Sequence, residues 1–249
     1  MGLTYMLDEK LAWVCARLSL EVYKDFASLK EFDSMPGVDV TLFESNDGGV
    51  TDTQVAILHK IDAEELYIVF RGSNRDIDWM NNLQFRQQIY RYGDESTTDV
   101  RFHRGFMTAY FSIRDRLLAE VRKYPNCAIT VTGHSLGGAV AKIAALDLQY
   151  NITQHTGQFI QVFTFGAPRV GNRALVESFT RRVPNCYRFI FGWDIVTRIP
   201  RRWQGYKHVP REYRLGNRWS WKIISRRFKD HYIINYVNAL AEKLEQLPT

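Results

Sequence analysis

The sequence predicts an α/β protein: a central, mostly parallel β-sheet with helices on both faces. Three observations lead to it. Strand-like and helix-like runs alternate along the chain. The runs 66–70 and 127–132 consist largely of apolar and β-branched residues, as strands buried on both faces do. A strand, turn, helix succession occurs around 127–144 and again around 160–183, the crossover that parallel neighbours require. No repeat, low-complexity tract or linker interrupts the 249 residues, so 1–249 is expected to form one domain.

The first helix is signalled by Leu11, Val14, Cys15, Leu18 and Val22 at helical spacing behind Asp8, an N-cap residue. Strands follow near 38–44 and 53–60, with Asn46, Asp47, Gly48 and Gly49 supplying the turn between them, and 66–70 is the next. Phe106, Tyr110, Ile113, Leu117 and Val121 predict one helix from about residue 105. Strand 127–132 leads into a helix carrying Ala139, Val140, Ile143 and Ala144. Strand 160–165 precedes a helix with Leu175, Phe179 and Val183, and 186–191 is a further strand. Ile233, Val237, Leu240, Leu244 and Leu247 share one face of a closing helix, expected to begin at Asp230-His231 and end at Pro248. Ligands of such sheets sit beyond the carboxyl ends of the strands.

With 45% hydrophobic and 24% charged residues, the chain can bury a substantial core. No run approaches the ~18 apolar residues of a membrane-spanning helix. The amino-terminal residues lack the basic flank and apolar stretch of a secretory signal, which predicts a cytoplasmic protein, peripheral to membranes at most, or a secreted one if a leader has been removed. Gly2 opens no myristoylation motif, because Met6 stands where Ser or Thr is needed. Cys15, Cys127 and Cys186 are odd in number and lack metal-ligand spacing, so reduced core cysteines are expected rather than a disulfide or zinc framework. The net charge of +6 is local: residues 201–230 hold ten Lys or Arg against Glu212 and Asp230. Trp203, Tyr206, Tyr213, Trp219, Trp221 and Phe228 are interleaved with those charges. The mixture fits a surface that meets phosphates or lipid headgroups, or a solvated basic face whose aromatics turn to the core.

Chemistry enters at Gly133-His134-Ser135-Leu136-Gly137, a G-x-S-x-G match at a strand-to-helix turn. Small residues at 133 and 137 let the chain reverse sharply, which forces Ser135 into a strained, exposed position at a helix N-terminus. A serine hydroxyl is a poor nucleophile near neutrality and needs an imidazole base held by a carboxylate. The elbow arrangement orders these as Ser, acid, His. Of six histidines, only His155, His208 and His231 follow Ser135. His155 lies in a polar stretch that reads as a surface loop. His231, at the start of the closing helix, is better placed to swing back over the strand ends than His208, whose other reading is a structural hydrogen bond. Asp194, directly after strand 186–191, is the candidate acid, whereas Asp147 falls on the wrong side of its helix.

The segments 69–73 (VFRGS), 103–106 (HRGF), 132–139 (TGHSLGGA), 165–172 (FGAPRVGN), 194–200 (DIVTRIP), 206–208 (YKH) and 230–231 (DH) occur in an informative order and spacing. By them the chain resembles the class 3 lipases of the α/β-hydrolase fold, the group containing the fungal triacylglycerol lipases and feruloyl esterases, over 66–231. The resemblance implies a triad of Ser135, Asp194 and His231, with His208 non-catalytic. It implies an oxyanion hole from the backbone N–H groups of Ser73 and Leu136, with the Ser73 hydroxyl as a third donor. It also implies a short lid at about 74–84, where Ile77, Met80 and Leu83 share a helical face and Trp79 adjoins Leu83. Asn82 stands where many lipases carry Asp, which removes the expectation of carboxylate support for the Ser73 hydroxyl, and the large polar share of the lid implies weak interfacial activation.

The implied activity is serine carboxylic ester hydrolysis, cleaving acylglycerol or other lipid esters through an acyl-enzyme without metal or organic cofactor. The basic segment supports a phospholipase A1 or galactolipase acting on anionic membrane lipid as an alternative. A non-catalytic lipid-binding module on the same scaffold is another. The expected partner is the lipid or ester substrate, with transient contact to a lipid interface; neither nucleic acid nor an obligate protein partner is expected.

Overall fold

A computed structural model describes residues 7–45, 52–73, 86–90, 99–216 and 228–246. Helix α1 (Glu9–Glu21) begins where the Asp8 carboxylate accepts a hydrogen bond from the Leu11 N–H at 2.9 Å, the cap the sequence signals. Strands β1 (Asp39–Glu44), β2 (Gln54–Lys60) and β3 (Glu65–Phe70) form an antiparallel meander. A separate antiparallel ribbon joins β4 (Gln87–Ile89) to β5 (Arg101–His103). From β3 onward the main sheet is parallel through β6 (Ala128–His134), β7 (Ile160–Phe165), β8 (Cys186–Phe191) and β9 (Glu212–Leu215). Its order is β1-β2-β3-β6-β7-β8-β9.

Period-two alternation divides the strand side chains between two helix layers. On one face Leu66, Ile68, Phe70, Ile129 and Val131 pack with Phe106 and Tyr110 of α2 (Arg104–Phe111), Leu117 of α3 (Arg114–Val121), Val140 and Ile143 of α4 (Leu136–Leu148), and Leu175 and Phe179 of α5 (Arg173–Arg182). On the other, Tyr67 and Val69 meet Leu18 and Val22 of α1. Phe163, Phe165 and Phe189 meet Ala12 and Cys15 of α1 and Tyr236 and Leu240 of α6 (Ile233–Glu245). Burying each large apolar side chain contributes about 1.5–3 kcal/mol. A one-residue slip of β3 would exchange the two sets between the helix layers and break the packing of both, so packing fixes its register.

The secondary structure departs from the sequence reading in four places. The single helix expected from residue 105 is two, α2 and α3. The Ser112 hydroxyl donates to the Ala109 carbonyl (2.8 Å), and Ile113 N–H donates to Tyr110, one residue short of an α-helical bond. Ile113 is still buried, so the apolar phase survives the break. The stretch around His155 is helical rather than a loop, although His155 itself is exposed. The closing helix starts at Ile233, which leaves Asp230 and His231 in the turn before it. Strands β4, β5 and β9 are three or four residues long, too short to leave a periodic signal. Cys15, Cys127 and Cys186 are free thiols in the interior, as expected. The turn at 46–49, the lid residues Ile77, Trp79, Met80 and Leu83, Asn82, Trp219, Trp221, Leu247 and Pro248 lie outside the described residues.

Candidate active site

Ser135 occupies the single residue between β6 and α4, with φ 55° and ψ −125°. A non-glycine residue in this left-handed region costs about 1–3 kcal/mol, so its surroundings must hold it there. They do so through the Ser135 N–H donating to the Phe165 carbonyl (3.0 Å) and the Ser135 carbonyl accepting from Ala139 N–H (3.2 Å). Two glycines permit the bend. A Cβ on Gly133 would lie 2.5 Å from the Gly137 carbonyl carbon, and one on Gly137 would strike the Phe70 carbonyl oxygen of β3. The first turn of α4 therefore sits directly on the carboxyl ends of the strands.

Asp194 follows β8, and its backbone N–H donates to the Phe191 carbonyl at 3.0 Å. His231 arrives from the turn before α6. His231 Nε2 stands 2.8 Å from Ser135 Oγ, and its Nδ1 stands 2.8 Å from Asp194 Oδ2. All three residues are buried, so Ser135 is strained as expected but does not have the exposed position that the turn alone predicted. Asp194 is anchored on both oxygens: Oδ1 accepts from the Val196 N–H (2.9 Å), and Oδ2 also accepts from the Tyr236 hydroxyl (2.5 Å). Burial and the adjacent carboxylate raise the Tyr236 pKa well above 10, so this phenol stays a donor. With Asp194 accepting at Nδ1, the imidazole carries its proton there and presents the Nε2 lone pair to the Ser135 hydroxyl. The turn that delivers His231 is tethered by Asp230, which accepts from the Trp193 N–H at 2.9 Å.

Several supporting residues were not identified as such from sequence. His134 Nε2 lies 2.7 Å from the His231 carbonyl, and its Nδ1 lies 3.0 Å from the Tyr23 hydroxyl. A carbonyl only accepts, so Nε2 bears the proton and Nδ1 accepts from Tyr23. The His134 and His231 rings are 4.5 Å apart between centroids. Gly166, at φ 61°, is also fixed by the site, since a Cβ there would be 2.7 Å from Asp194 Oδ2 and 3.0 Å from the His231 ring. The signal for Tyr236 was its place beside Ile233 and Val237 on the apolar face of the closing helix, where a hydroxyl needs a partner.

His208 and Asp147 behave as the sequence reading supposed. His208 Nε2 donates to the Thr197 carbonyl (2.6 Å), within the turn that follows Asp194. Asp147, near the far end of α4, binds Tyr110 and Arg114. The buried His134 and the half-buried His208 predict a pH dependence. Burial first, then the His231 charge for His134 and the Arg188 and Lys142 charges for His208, hold both pKa values well below the ordinary 6.5. Above that pH neither state binds the protons. As pH falls through 6.5 the unfolded chain takes up protons that the folded chain refuses, so each histidine reduces stability by up to about 1.4 kcal/mol per pH unit. Thermal unfolding should therefore show a falling Tm between pH 7 and pH 5, with a shallower slope in His134→Gln; equal slopes would remove His134 as a source.

Ser73 follows β3 and opens, together with Leu20, Tyr23, His134, Tyr232, Ile233 and Ile234, onto a largely apolar cavity of about 340 Å³. Its neighbour Gly72 packs against the elbow: a Cβ there would be 2.8 Å from the His134 carbonyl oxygen. Leu136 is the first residue of α4, so its N–H is one of those left without an intrahelical acceptor. Among the described residues no group of three or more His, Cys, Asp or Glu side chains is arranged to hold a metal. No described helix is long and apolar enough to cross a membrane.

Comparison with known proteins adds to this geometry. A family model described as Lipase (class 3) matches residues 67–203. A lipase of Rhizomucor miehei is 31% identical over 168 residues, 66% of this chain and 45% of that protein. Secreted mono- and diacylglycerol lipase 1 of Fusarium solani is 33% identical over 154 residues, 60% of this chain and 44% of that protein. The chain thus matches less than half the length of either relative. A solved triacylglycerol lipase, whose catalytic centre is formed by a serine protease triad, superposes with a TM-score of 0.71 at 26% identity, covering 84% of this chain and 80% of that one.

Proposed function

The chain belongs to the class 3 lipase family, with the α/β-hydrolase fold, and from that premise we propose that it is a serine carboxylic ester hydrolase cleaving acylglycerols or related lipid esters. The observation that carries this reading is the unbroken relay Ser135 Oγ, His231, Asp194, with 2.8 Å at each step. Ser135 Oγ attacks the ester carbonyl while its proton passes to His231 Nε2, and the carbonyl oxygen becomes an oxyanion. The N–H groups of Leu136 and Ser73 are assigned as its donors, supported by the helix start at Leu136 and by the fit of Gly72 against the elbow. The carbon–oxygen bond to the leaving alcohol then breaks, and His231 returns the proton to that alcohol. Water attacks the acyl-enzyme by the same route and releases the acid. Asp194, held by Tyr236 and Val196, keeps His231 in the required tautomer and offsets its charge in both transition states.

The apolar cavity beside Ser73 is assigned to the acyl chain, with Tyr232 and Ile234 at its exposed rim. The site draws on Tyr23 at one end of the chain and Tyr236 at the other, which supports one hydrolase unit across the sequence. The word secreted in the name of the Fusarium solani relative supports export over the cytoplasmic setting expected from the amino-terminal residues. A panel of p-nitrophenyl esters of graded length, triolein, a phosphatidylcholine and a feruloyl ester tests the activity. Turnover of acyl esters is expected, and no turnover of any of them would overturn the assignment.

A second reading, preference for anionic membrane lipid, is favoured by the basic segment. Within its described part Arg201, Arg202 and Lys207 are exposed and Trp203 is 79% exposed, while Tyr206 is buried. The aromatic set is therefore split between surface and core. On this reading turnover is faster on anionic than on neutral vesicles, and the advantage shrinks as salt rises. Indifference to both variables would remove it.

A further inference from the structure

The loop carrying Asp194 borders a second cavity, of about 400 Å³, whose walls are dominated by guanidinium groups: Arg169, Arg188, Arg198, Arg201, Arg202 and Arg214. Its size falls in the range of roughly 300–1,000 Å³ typical of small-ligand sites. Among the described residues the only acidic groups lining it are Asp194 and Glu212. The Asp194 carboxylate is engaged by His231, Tyr236 and Val196. Glu212 pairs with Arg188 and Arg214, at 2.5 Å each. Those two carboxylates leave the cavity with a large positive excess.

Of the buried members, Arg188 pairs with Glu212 and Arg169 is held by backbone carbonyls, and each lacks a hydrogen-bond partner at one nitrogen among the described residues. Arg169, 8% exposed, donates from Nη1 to the carbonyls of Arg198 (2.5 Å) and Pro200 (2.7 Å), while its Nε has no hydrogen-bond partner among the described residues. Arg188, 3% exposed, likewise has no partner at Nη1. Such groups cost free energy unless something accepts from them. The clustering is itself strained. Burial, followed by the charges of Arg202, Arg188 and Arg198, lowers the Arg169 pKa to about 10. Lys142, buried behind the cavity, is lowered to about 7 by burial, with Arg188 and Arg169 adding to the effect. Arg198 is held over the Trp193 ring at 4.6 Å, which fixes one guanidinium at the rim. Planar, fork-like donors converging on one space match the oxygens of a phosphoryl group.

We propose that this cavity binds a phosphoryl group, presented by a soluble phosphate compound or by a phosphorylated lipid headgroup. The assignment is independent of ester hydrolysis, and its test uses binding alone. Calorimetric titration of the full chain with inorganic pyrophosphate at fixed ionic strength reads the soluble source. Co-sedimentation of Ser135→Ala protein with phosphatidylcholine vesicles, with and without phosphatidic acid, reads the lipid source. Saturable 1:1 binding in either arm is expected, weakened about tenfold or more by R198Q/R202Q and largely retained in R198K/R202K, given the strength of hydrogen bonds to charged groups. Circular dichroism confirms that each variant is folded. Binding of pyrophosphate alone assigns a soluble ligand; binding only to phosphatidic acid vesicles assigns a headgroup. Absence of binding in both arms overturns the proposal. So does binding that R198Q/R202Q leaves unchanged, since that marks general surface attraction. Neither result bears on whether Ser135 turns over esters.

Discussion

Ser135→Ala is expected to lower kcat for ester hydrolysis by about a million-fold, while KM for a soluble ester changes little. In the proposed mechanism the Ser135 oxygen forms the acyl bond, and His231 Nε2 at 2.8 Å is positioned to take its proton. The residual rate then comes from oxyanion stabilisation and substrate positioning. Steady-state kinetics on a p-nitrophenyl ester measures this, and a loss under tenfold would place the nucleophile elsewhere.

Asp194→Asn is expected to lower kcat by about ten-thousand-fold without unfolding the protein. An asparagine keeps the shape and still offers an acceptor oxygen to Tyr236 or Val196, both of which now bind the carboxylate. Its amide can donate to His231 Nδ1, which drives the ring proton to Nε2 and points an N–H at Ser135 Oγ. The base is then lost although each contact distance survives. Asp194→Ala adds instability, because it strands the buried Tyr236 hydroxyl and the Val196 N–H. Kinetics paired with thermal unfolding separates the two effects: Asn should lose activity with a near-native Tm, and Ala should lose both.

The sheet and its helices were legible because burial imposes periodicity. Residues 160–165 and 186–191 read as strands and are β7 and β8. The sharp turn at Ser135 was legible because it demands small residues on either side, Gly133 and Gly137. What escaped depends on long-range contact. Nothing local to Tyr236, Tyr23 or Gly166 reveals that they touch Asp194, His134 and His231, since those partners are tens of residues away or more. The helix break at Ser112 escaped because Ile113 keeps the apolar phase on both sides of it. The basic run was legible as charge but not as a cavity. Arg169 and Arg188 lie upstream of 201–230: Arg188 joins that segment when β8 and β9 pair, and Arg169 through its bonds to the carbonyls of Arg198 and Pro200. The local structure of His231 was not legible: it sits in a turn before the closing helix, where Asp230 accepts from the Trp193 N–H and the His231 N–H donates to the Phe228 carbonyl.

Labelling with a fluorophosphonate, followed by peptide mass spectrometry, bears most directly on whether His231 activates Ser135. One phosphonyl group should add per chain, on the peptide carrying Ser135, and His231→Ala should slow the labelling by orders of magnitude. Modification at a different residue, or labelling of His231→Ala as fast as the unaltered protein, would contradict it.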